Sequence, residues 1–223
     1  DNLYNKVPAP LGEEAIRVEG LTRNGVFSDV NFHARHGEVV GFFGLVGAGR
    51  SEIMRAIFGV DKFQSGKVFV DGKEVKIYNP VKAVRQGIAL VPEDRKLEGL
   101  SLRLSVLFNM TLVKIRQINR LGVIDKKAQK SEAETYVQRT RVKTPNLAQK
   151  VYHLSGGNQQ KVVISKWLMM NPQILILDEP TRGIDVAAKA EIYGLISDLA
   201  NAGVCVLVVS SEIPEILGIC DRL

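Results

Sequence analysis

The sequence predicts an α/β protein with a mostly parallel sheet, and three observations lead to that class. Two apolar runs near the C-terminal end, 174–177 and 204–209, are typical of strands buried on both faces. The helical pattern of 187–200 separates them, and such alternation indicates parallel strands covered by helices. A third β-favouring segment, 39–43, runs through a glycine-rich loop into a helical pattern. We therefore expect a mostly parallel α/β core.

The beginning of the chain is rich in short β-favouring segments. They cover 15–18, 26–32 and 67–70, and turn pairs such as Asn24-Gly25 bound them. The beginning of the chain is therefore predicted to be rich in strands.

The first residues have the composition of a linker. Pro8, Pro10 and Gly12 fall within 1–12 without sustained periodicity, which suits a connection that leads into a domain. The chain also begins without Met, as a piece cut from a longer chain would. We therefore expect a linker over 1–12, a domain over 13–223 and a further domain upstream.

From about Ser105 to Met170 the pattern becomes helical. This stretch includes a charged run at 126–142 without strand character and an amphipathic segment from Gly157 to Met169. The sequence therefore predicts a helical subdomain inserted at about 100–170.

Length and composition exclude several classes of protein. A chain of 223 residues with 45% hydrophobic and 24% charged residues is neither disordered nor fibrous. Its longest apolar run, 204–209, is far shorter than the roughly 20 residues of a membrane-spanning helix. Cys205 and Cys220 have no Cys-x-x-Cys spacing, so neither a disulfide framework nor a zinc site is expected. Such cysteine usage favours a reducing cytoplasm.

The net charge of +6 is unevenly distributed along the chain. Residues 95–150 carry 13 Lys and Arg against four acidic residues, a local balance of +9. Such a block can contact nucleic acid, anionic lipid or an acidic protein, but charge on its own favours an ordinary solvated helical face.

Residues 44–51 match the phosphate-loop pattern G-x-x-x-x-G-K-[ST] except that Arg50 stands in the lysine position. The glycines allow backbone N–H groups to turn toward a polyphosphate, and Ser51 can place a hydroxyl on Mg²⁺. The planar guanidinium of Arg50 does not simply replace a compact ammonium between phosphates. The predicted nucleotide-binding residues are Gly44, Leu45, Val46, Gly47, Ala48, Gly49, Arg50, Ser51 and Glu52.

Glycine-rich turns between a strand and a helix also occur in dinucleotide-binding folds, and Asp71 follows the loop at about the distance that such folds require. The second half of the chain decides between the two. The apolar run 174–177 ends in Asp178 and Glu179, where Asp178 can hold Mg²⁺ water and Glu179 can polarise an attacking water. A surface acid pair is the alternative, and the upstream phosphate loop argues against it.

Residues 154–158, Leu-Ser-Gly-Gly-Asn, open a further helical pattern, with Ser155 suited to cap its start. Taken alone, this segment could be a plain helix start. With Asp178 following Gly157 by 21 residues, the set resembles the Leu-Ser-Gly-Gly signature of the ATP-binding cassette (ABC) ATPases, the engines of ABC transporters. The predicted signature residues are Leu154, Ser155, Gly156, Gly157 and Asn158.

The resemblance covers nearly the whole chain, from about Glu14 to Leu223. Four segments point to a subgroup of the family, namely 93–96, 156–161, 181–185 and 209–212. They are similar to the second nucleotide-binding half of the tandem ATPases that energise bacterial importers of ribose, galactose and similar sugars.

The resemblance implies a phosphate-loop core with a mostly parallel sheet, an N-terminal antiparallel β subdomain and an inserted helical subdomain. It also implies head-to-tail pairs of cassettes, with each ATP between one phosphate loop and the other half's signature. Asp185 would then lie between the sites and couple them. For this chain's own site it implies Glu179 and Ser211 as catalytic residues. It implies ATP and Mg²⁺ as cofactors, with the metal held by Ser51, Glu93 and Asp178.

Three departures from the family pattern fall on that one site. Arg50 replaces the usual lysine, Glu93 the usual glutamine and Ser211 the usual switch histidine, and none of the chain's three histidines occupies that position. We therefore expect slow hydrolysis there. The residue that stacks on adenine is not assigned, since Phe27 is a candidate for stacking and equally for a place in the core.

The implied partners are a second nucleotide-binding domain upstream, transmembrane permease subunits and, indirectly, a periplasmic or extracellular solute-binding protein, at the cytoplasmic face of a bacterial membrane. Two alternatives stay open. One is a largely non-hydrolysing nucleotide-binding interaction module. The other is a non-transport ABC protein that acts on DNA or ribosomes, where the basic block would meet nucleic acid. Proteins that bind single strands interleave basic residues with aromatic side chains that stack on bases, and Tyr136 is the only aromatic residue in the basic helix at 126–142. No nucleic acid is therefore expected.

Overall fold

The computed structural model describes residues 9–45, 47–120 and 123–223. The chain forms two compact units. The first, here called the core unit, runs to Leu90 and adds Pro172–Pro180 and Tyr193–Leu223. The second, here called the helical unit, consists of Val91–Asn171 and Thr181–Ile192.

Strands and helices alternate along the described chain. The strands are β1 (Glu14–Arg23), β2 (Phe27–Arg35), β3 (Val39–Phe43), β4 (Ser65–Val70), β5 (Lys73–Val75), β6 (Ile88–Val91), β7 (Asn119–Arg120), β8 (Val123–Ile124), β9 (Ile174–Asp178) and β10 (Cys205–Ser210). The helices are α1 (Arg50–Ile57), α2 (Pro80–Arg85), α3 (Val106–Thr111), α4 (Lys126–Arg139), α5 (Gly156–Leu168), α6 (Val186–Asn201) and α7 (Ile213–Ile219). A π-helical turn covers Arg95–Gly99, and short 3₁₀ turns cover Leu112–Lys114 and Val151–His153.

The core unit contains the predicted parallel sheet, with strand order β3-β10-β9-β6. Strand β10 pairs in parallel with β3 on one side and β9 on the other, so that Val206 lies opposite both Val39 and Leu175. Every residue of β9 and β10 is buried, as the continuous apolar runs predicted. The α/β fold class is therefore confirmed, and the sheet brings the C-terminal ends of β3, β9 and β10 together.

The N-terminal sheet is antiparallel, with strand order β2-β1-β4-β5. Strand β1 pairs antiparallel with both β2 and β4, and its register to β4 shifts between Glu19 and Thr22. Gly66 has φ +110°, and a Cβ atom there would lie 2.5 Å from the Leu21 Cα atom. Only glycine lets the two strands approach so closely at this irregularity, and the antiparallel subdomain expected from sequence is confirmed.

The helical unit is built around α3, α4 and α5. Helix α4 begins at the predicted charged run, where the Asp125 carboxylate accepts hydrogen bonds from the Lys127 and Ala128 N–H groups. The antiparallel pair of strands β7 and β8 precedes it and has no counterpart in the sequence expectations. This unit also takes in Thr181–Ile192, a segment that sequence patterning did not connect with the inserted helices.

Of the expected linker, residues 9–12 are described and lie against the core unit. The Gly12 N–H donates to the His36 carbonyl over 2.8 Å, and the Pro10 carbonyl approaches Gly37 so closely that a Cβ atom there would be 2.7 Å away. Among the described residues, no helix combines the length and apolar character that crossing a membrane would require.

Candidate functional site

The glycine-rich loop connects β3 to α1 in the core unit. Gly47 and Gly49 have φ of +85° and +82°, in the left-handed region where residues with a side chain are strained. A Cβ atom at Gly49 would also lie 3.0 Å from the Val26 carbonyl oxygen. The turn into α1 therefore requires glycine at these positions. Val46, one of the predicted nucleotide-binding residues, lies outside the described part of the chain.

The Arg50 guanidinium is bonded to backbone carbonyls of its own unit. Its Nη1 donates to the Ser210 carbonyl over 2.7 Å, and its Nη2 donates to the Leu45 carbonyl over 3.3 Å. Its Nε is buried and has no hydrogen-bond partner in the described structure. Arg50 thus ties the loop to the end of β10 and keeps one N–H unsatisfied, whereas a lysine ammonium would present three N–H groups.

Ser51 and Asp178 meet at the start of α1 and the end of β9. The Ser51 hydroxyl donates to the Asp178 carboxylate over 3.0 Å. Asp178 is 2% exposed. Burial raises the pKa of its carboxyl to about 6, and the negative charge of Glu179 adds to that effect while the Ser51 hydrogen bond and Arg50 oppose it. A hydroxyl and a carboxylate so placed are oxygen ligands of the kind that Mg²⁺ prefers.

Glu179, directly after β9, faces Ser211 beyond β10. Its φ of +46° is unusual for a residue with a side chain, and its N–H donates to the Val209 carbonyl over 2.9 Å. The Ser211 hydroxyl donates to the Glu179 carboxylate over 3.2 Å. The structure thus brings together the two residues to which the family resemblance gave catalytic roles.

The end of β10 contains a buried network that the sequence analysis did not identify. The Ser210 hydroxyl is fully buried and donates to the Glu215 carboxylate, and the Glu212 N–H donates to the Ser210 hydroxyl oxygen over 3.0 Å. The Ser210 carbonyl accepts from the Arg50 guanidinium. Ser210 is therefore the residue that holds α1, β10 and the start of α7 together. The polar pair Ser210-Ser211 after an apolar strand is the signal that could have indicated it.

A cavity of about 340 Å³ lies along the turn between β1 and β2, beside the phosphate loop. Its lining includes Phe27, and the Val26 carbonyl and the Phe27 Cβ atom would lie 3.0 and 3.6 Å from a Cβ atom at Gly49. Phe27, the sequence candidate for adenine stacking, is thus a neighbour of the loop. The cavity lining is Thr22, Asn24, Gly25, Val26, Phe27 and Ser28.

The signature segment forms the start of α5 in the helical unit. Ser155 is the N-cap, and its hydroxyl oxygen accepts from the Asn158 N–H over 3.5 Å and from the Asn158 Nδ2 over 2.9 Å. Asn158 in turn accepts from the Lys143 N–H over 2.7 Å. A Cβ atom at Gly157 would lie 2.4 Å from the Ala188 Cβ atom, so this glycine is required for packing against α6. Leu154 immediately precedes the cap.

Asp185 and Glu93 both lie in the helical unit. The Asp185 carboxylate accepts from the Ala188 N–H over 2.9 Å at the beginning of α6, so it caps that helix. Glu93 forms an ion pair with Arg182, an exposed side chain close to Asp185 in sequence. The interface role of Asp185 and the metal role of Glu93 stay predictions.

A buried strand that enters a helix through a glycine loop, with a second strand bringing a carboxylate to the first turn of that helix, characterises phosphate-loop nucleotide-binding domains. The sequence profile of the family described as "ABC transporter" matches residues 27–182. This chain belongs to the ABC transporter family.

Relatives are similar over the whole of this chain and over less than half of their own length. The ribose import ATP-binding protein RbsA 2 of Streptomyces coelicolor is 52% identical over 220 residues, which is 99% of this chain and 43% of that protein. The ribose import ATP-binding protein RbsA of Geobacillus kaustophilus is 50% identical over 99% of this chain and 44% of its own length. This chain therefore spans about 44% of the curated relatives that it matches.

Solved structures share the fold. An ATP-binding cassette of an ABC transporter, MJ1267, superimposes with a TM-score of 0.80 at 22% identity, over 94% of this chain and 86% of that one. The cassette MJ0796, in a dimeric post-hydrolysis state with ADP and phosphate, superimposes with a TM-score of 0.75 at 25% identity, over 90% of this chain and 89% of that one.

Proposed function

We propose that this chain is one nucleotide-binding half of an ATPase that energises import of ribose or a related sugar, and that it binds ATP together with Mg²⁺. Family membership, the relatives named for ribose import and the match to about 44% of their length support this proposal. The other partners would be a second nucleotide-binding domain in the same protein, transmembrane permease subunits and, indirectly, a solute-binding protein, at the cytoplasmic face of the membrane.

The observation that carries the proposal is the 3.0 Å contact between the Ser51 hydroxyl and the Asp178 carboxylate. These two oxygen ligands lie at the end of a phosphate loop and fit Mg²⁺, which protein sites commonly bind with one or two carboxylates and the phosphates of the substrate. When bound, the metal would neutralise charge on the phosphate oxygens. Ser51 and Asp178 would hold it, and the N–H groups of the loop would cradle the phosphates.

We further propose that hydrolysis at this half's own site is slow. Both terminal nitrogens of Arg50 donate to backbone carbonyls, so these N–H groups are already used within the protein. Glu179 is in place to accept a proton from water, and Ser211 donates to that carboxylate. The Ser211 hydroxyl is a neutral donor at the position where the family has an imidazole, which can carry a proton and a positive charge.

The signature at the start of α5 would serve the ATP of the partner cassette. Ser155 is exposed at the N-terminus of a 13-residue helix, where the hydroxyl, the free N–H groups and the helix dipole favour an anion. Asp185 would lie near the interface with the partner. On this proposal the chain gives an intact signature to its partner and keeps a weakened site for itself.

The test measures binding of a fluorescent ATP analogue to this chain, with Mg²⁺ and with excess chelator. We expect Mg²⁺ to tighten binding, and Ser51→Ala to remove about tenfold of that Mg²⁺-dependent gain, because the hydroxyl ligand is lost. Ser131→Ala, an exposed position on α4, is the matched control and should behave as the unaltered chain. Binding that ignores both Mg²⁺ and Ser51→Ala would contradict the proposed site.

An ATPase assay then distinguishes a cassette that hydrolyses ATP slowly from one that only binds it. We expect turnover by this chain at least about 10²-fold slower than by an intact cassette pair, since two groups that act on the γ-phosphate are replaced. Binding without any turnover would favour the nucleotide-binding interaction module. Turnover equal to an intact pair would contradict the slow site.

A further inference from the structure

Arg95, in the π-helical turn of the helical unit, holds two consecutive backbone carbonyls. Its Nη1 donates to the Arg182 carbonyl over 2.7 Å and its Nη2 to the Gly183 carbonyl over 3.3 Å. The rigid fork of a guanidinium can reach both oxygens at once, whereas a lysine ammonium is a point donor on a flexible stem. One side chain thus bonds two consecutive carbonyls of the segment that leads to Asp185.

The same guanidinium lies against the signature. A Cβ atom at Gly156 would be 2.9 Å from Arg95 Nη2 and 3.3 Å from the Gly183 carbonyl oxygen. The absence of a side chain at Gly156 therefore makes room for both groups. Arg95 stands between the first turn of α5, whose N-cap is Ser155, and the segment that carries Asp185.

The turn that presents Arg95 is itself anchored to α5. The Asp94 carboxylate accepts from the Lys96 and Leu97 N–H groups over 2.9 and 3.0 Å, which caps the turn. At its other end the Lys166 ammonium donates to the Gly99 carbonyl over 2.6 Å. Lys166 is buried and belongs to α5, so Arg95 is held in a fixed position relative to the signature helix.

The hydrogen bonding of Arg95 is incomplete. Its Nε is buried and has no hydrogen-bond partner among the residues that the structure describes. A buried donor without an acceptor opposes folding and offsets part of what the two hydrogen bonds to the carbonyls contribute. What the arginine provides in return is a definite spacing between the Gly156 backbone and the Arg182–Gly183 carbonyls.

We propose that Arg95 is a positioning residue, which sets the signature and Asp185 in register with each other so that both fit the ATP of the partner cassette. The inference rests on the proposed function, because it concerns the same shared site. Arg95 itself need not touch nucleotide. It acts through the backbone at Gly156 and Gly183.

The experiment uses the full-length protein that contains this chain, assembled with its permease. We expect Arg95→Lys to lower kcat for ATP by about tenfold or more, since small misplacement of a catalytic group has effects of this size. The KM for ATP and the unfolding temperature should stay within error. Arg222→Lys is the matched control, because Arg222 also binds a carbonyl, that of His33, together with Glu38, and lies in no proposed site. It should leave kcat unchanged.

A double variant shows whether Arg95 acts through Asp185. If both set the same segment, Arg95→Lys combined with Asp185→Asn should be no slower than the slower single variant. Losses that multiply, or an unchanged kcat in Arg95→Lys, would overturn the inference even where Arg95→Lys also lowers the unfolding temperature. An unaltered full-length protein without ATPase activity would instead overturn the proposed function.

Discussion

The phosphate loop and the signature are two glycine-containing segments that each open a helix, yet their polar groups are used differently. In the loop, the guanidinium of Arg50 and the hydroxyl of Ser51 have partners within the core unit. In the signature, Ser155 is exposed, and its hydroxyl oxygen is bonded only to groups of its own first turn among the contacts described. The polar side chains of the loop are therefore bonded within the core unit, whereas the Ser155 side chain of the signature is exposed.

On the proposed function, this difference would let one chain weaken its own ATP site and preserve the signature that serves its partner. The arginine that replaces the usual lysine of the loop finds hydrogen-bond acceptors within the core unit. The fold therefore tolerates this departure from the family pattern. In the signature, Gly156 and Gly157 meet packing needs inside the helical unit, whereas the exposed Ser155 hydroxyl is the group that is presented. The predictions that follow test this contrast, from the largest expected effect to the smallest.

The largest effect is expected at the signature. Ser155→Ala in the full-length protein should lower ATPase activity by about 10²-fold, because the hydroxyl donor toward the partner's phosphate is lost. Nucleotide binding by the core unit should be unchanged. Steady-state ATPase and fluorescent-nucleotide binding provide the two readouts.

Ser105→Ala is the matched control for that variant. Ser105 also caps a helix of the helical unit, α3, through the Phe108 N–H over 3.1 Å. Each serine change should reduce stability by about 1 kcal/mol, but only Ser155→Ala should reduce activity. Equal activity losses would contradict a displayed signature. Gly157→Asp is a poor probe by comparison, since its Cβ atom would clash with Ala188.

A second prediction concerns the buried carboxylate below the loop. Burial raises the pKa of Asp178 from 3.8 to about 6, so the folded protein holds this proton more tightly than the unfolded chain does. Stability from this group is therefore present at low pH and lost as pH rises through about 6. In the absence of nucleotide, Asp178→Asn should be more stable than the unaltered chain by about 3 kcal/mol near neutral pH.

That gain should shrink as the pH falls below about 6, and denaturant unfolding at several pH values measures it. Asp198→Asn, an exposed position on α6, should give a small difference at every pH. A gain that grew toward low pH would show that Asp178 is stabilised as the ion, and the contrast between a closed loop and an open signature would fail.

The third prediction asks whether the loop can be restored. Arg50→Lys combined with Ser211→His should raise ATP turnover by this chain by about tenfold, since both groups expected to act on the γ-phosphate return. Arg55→Lys, on the same helix but paired with Asp61, should have no such effect. If the double variant were as slow as the unaltered chain, the side chains at 50 and 211 would not be what limits the site.

The smallest effect is expected for nucleic acid. The basic excess of the helical unit is partly neutralised within it, since Lys114 pairs with Glu132 and Lys143 with Glu191. Binding to DNA or RNA should therefore be weaker than a Kd of about 10⁻⁶ M, as measured by fluorescence anisotropy at two salt concentrations. Tighter binding that falls steeply with salt would indicate a nucleic-acid protein rather than one that docks to other proteins.

The elements that patterning predicted well are those with a strong period. Strand β3 was located to the residue and β9 to all but its last residue, Asp178, because continuous apolar runs leave little freedom in where a strand begins. Strand β5, with three residues, and helix α2, which begins at Pro80, are too short to show a period and were missed. Their positions depend on neighbours: β5, for example, pairs with β4.

The candidate site shows a similar division. Motifs located Ser51 and Asp178, because the spacing of a phosphate loop and the end of an apolar strand are visible in sequence. The partners of Arg50 were not predictable, since Ser210 is 160 positions away and is contacted through its carbonyl, which every residue has. Arg95 lies in segment 93–96, which carries part of the family resemblance, but only the fold shows what its guanidinium binds.

The order of strands in the parallel sheet has a consequence for how the protein is made. The phosphate loop follows β3, whose neighbour in the sheet is β10, a strand that is synthesised only after α6. Until β10 is synthesised, the loop lacks the carbonyl that holds Arg50, and β3 has an unpaired edge that invites aggregation. Nucleotide binding should therefore be acquired only after β10 has been translated, and a nascent chain that stops before β10 would depend on chaperones.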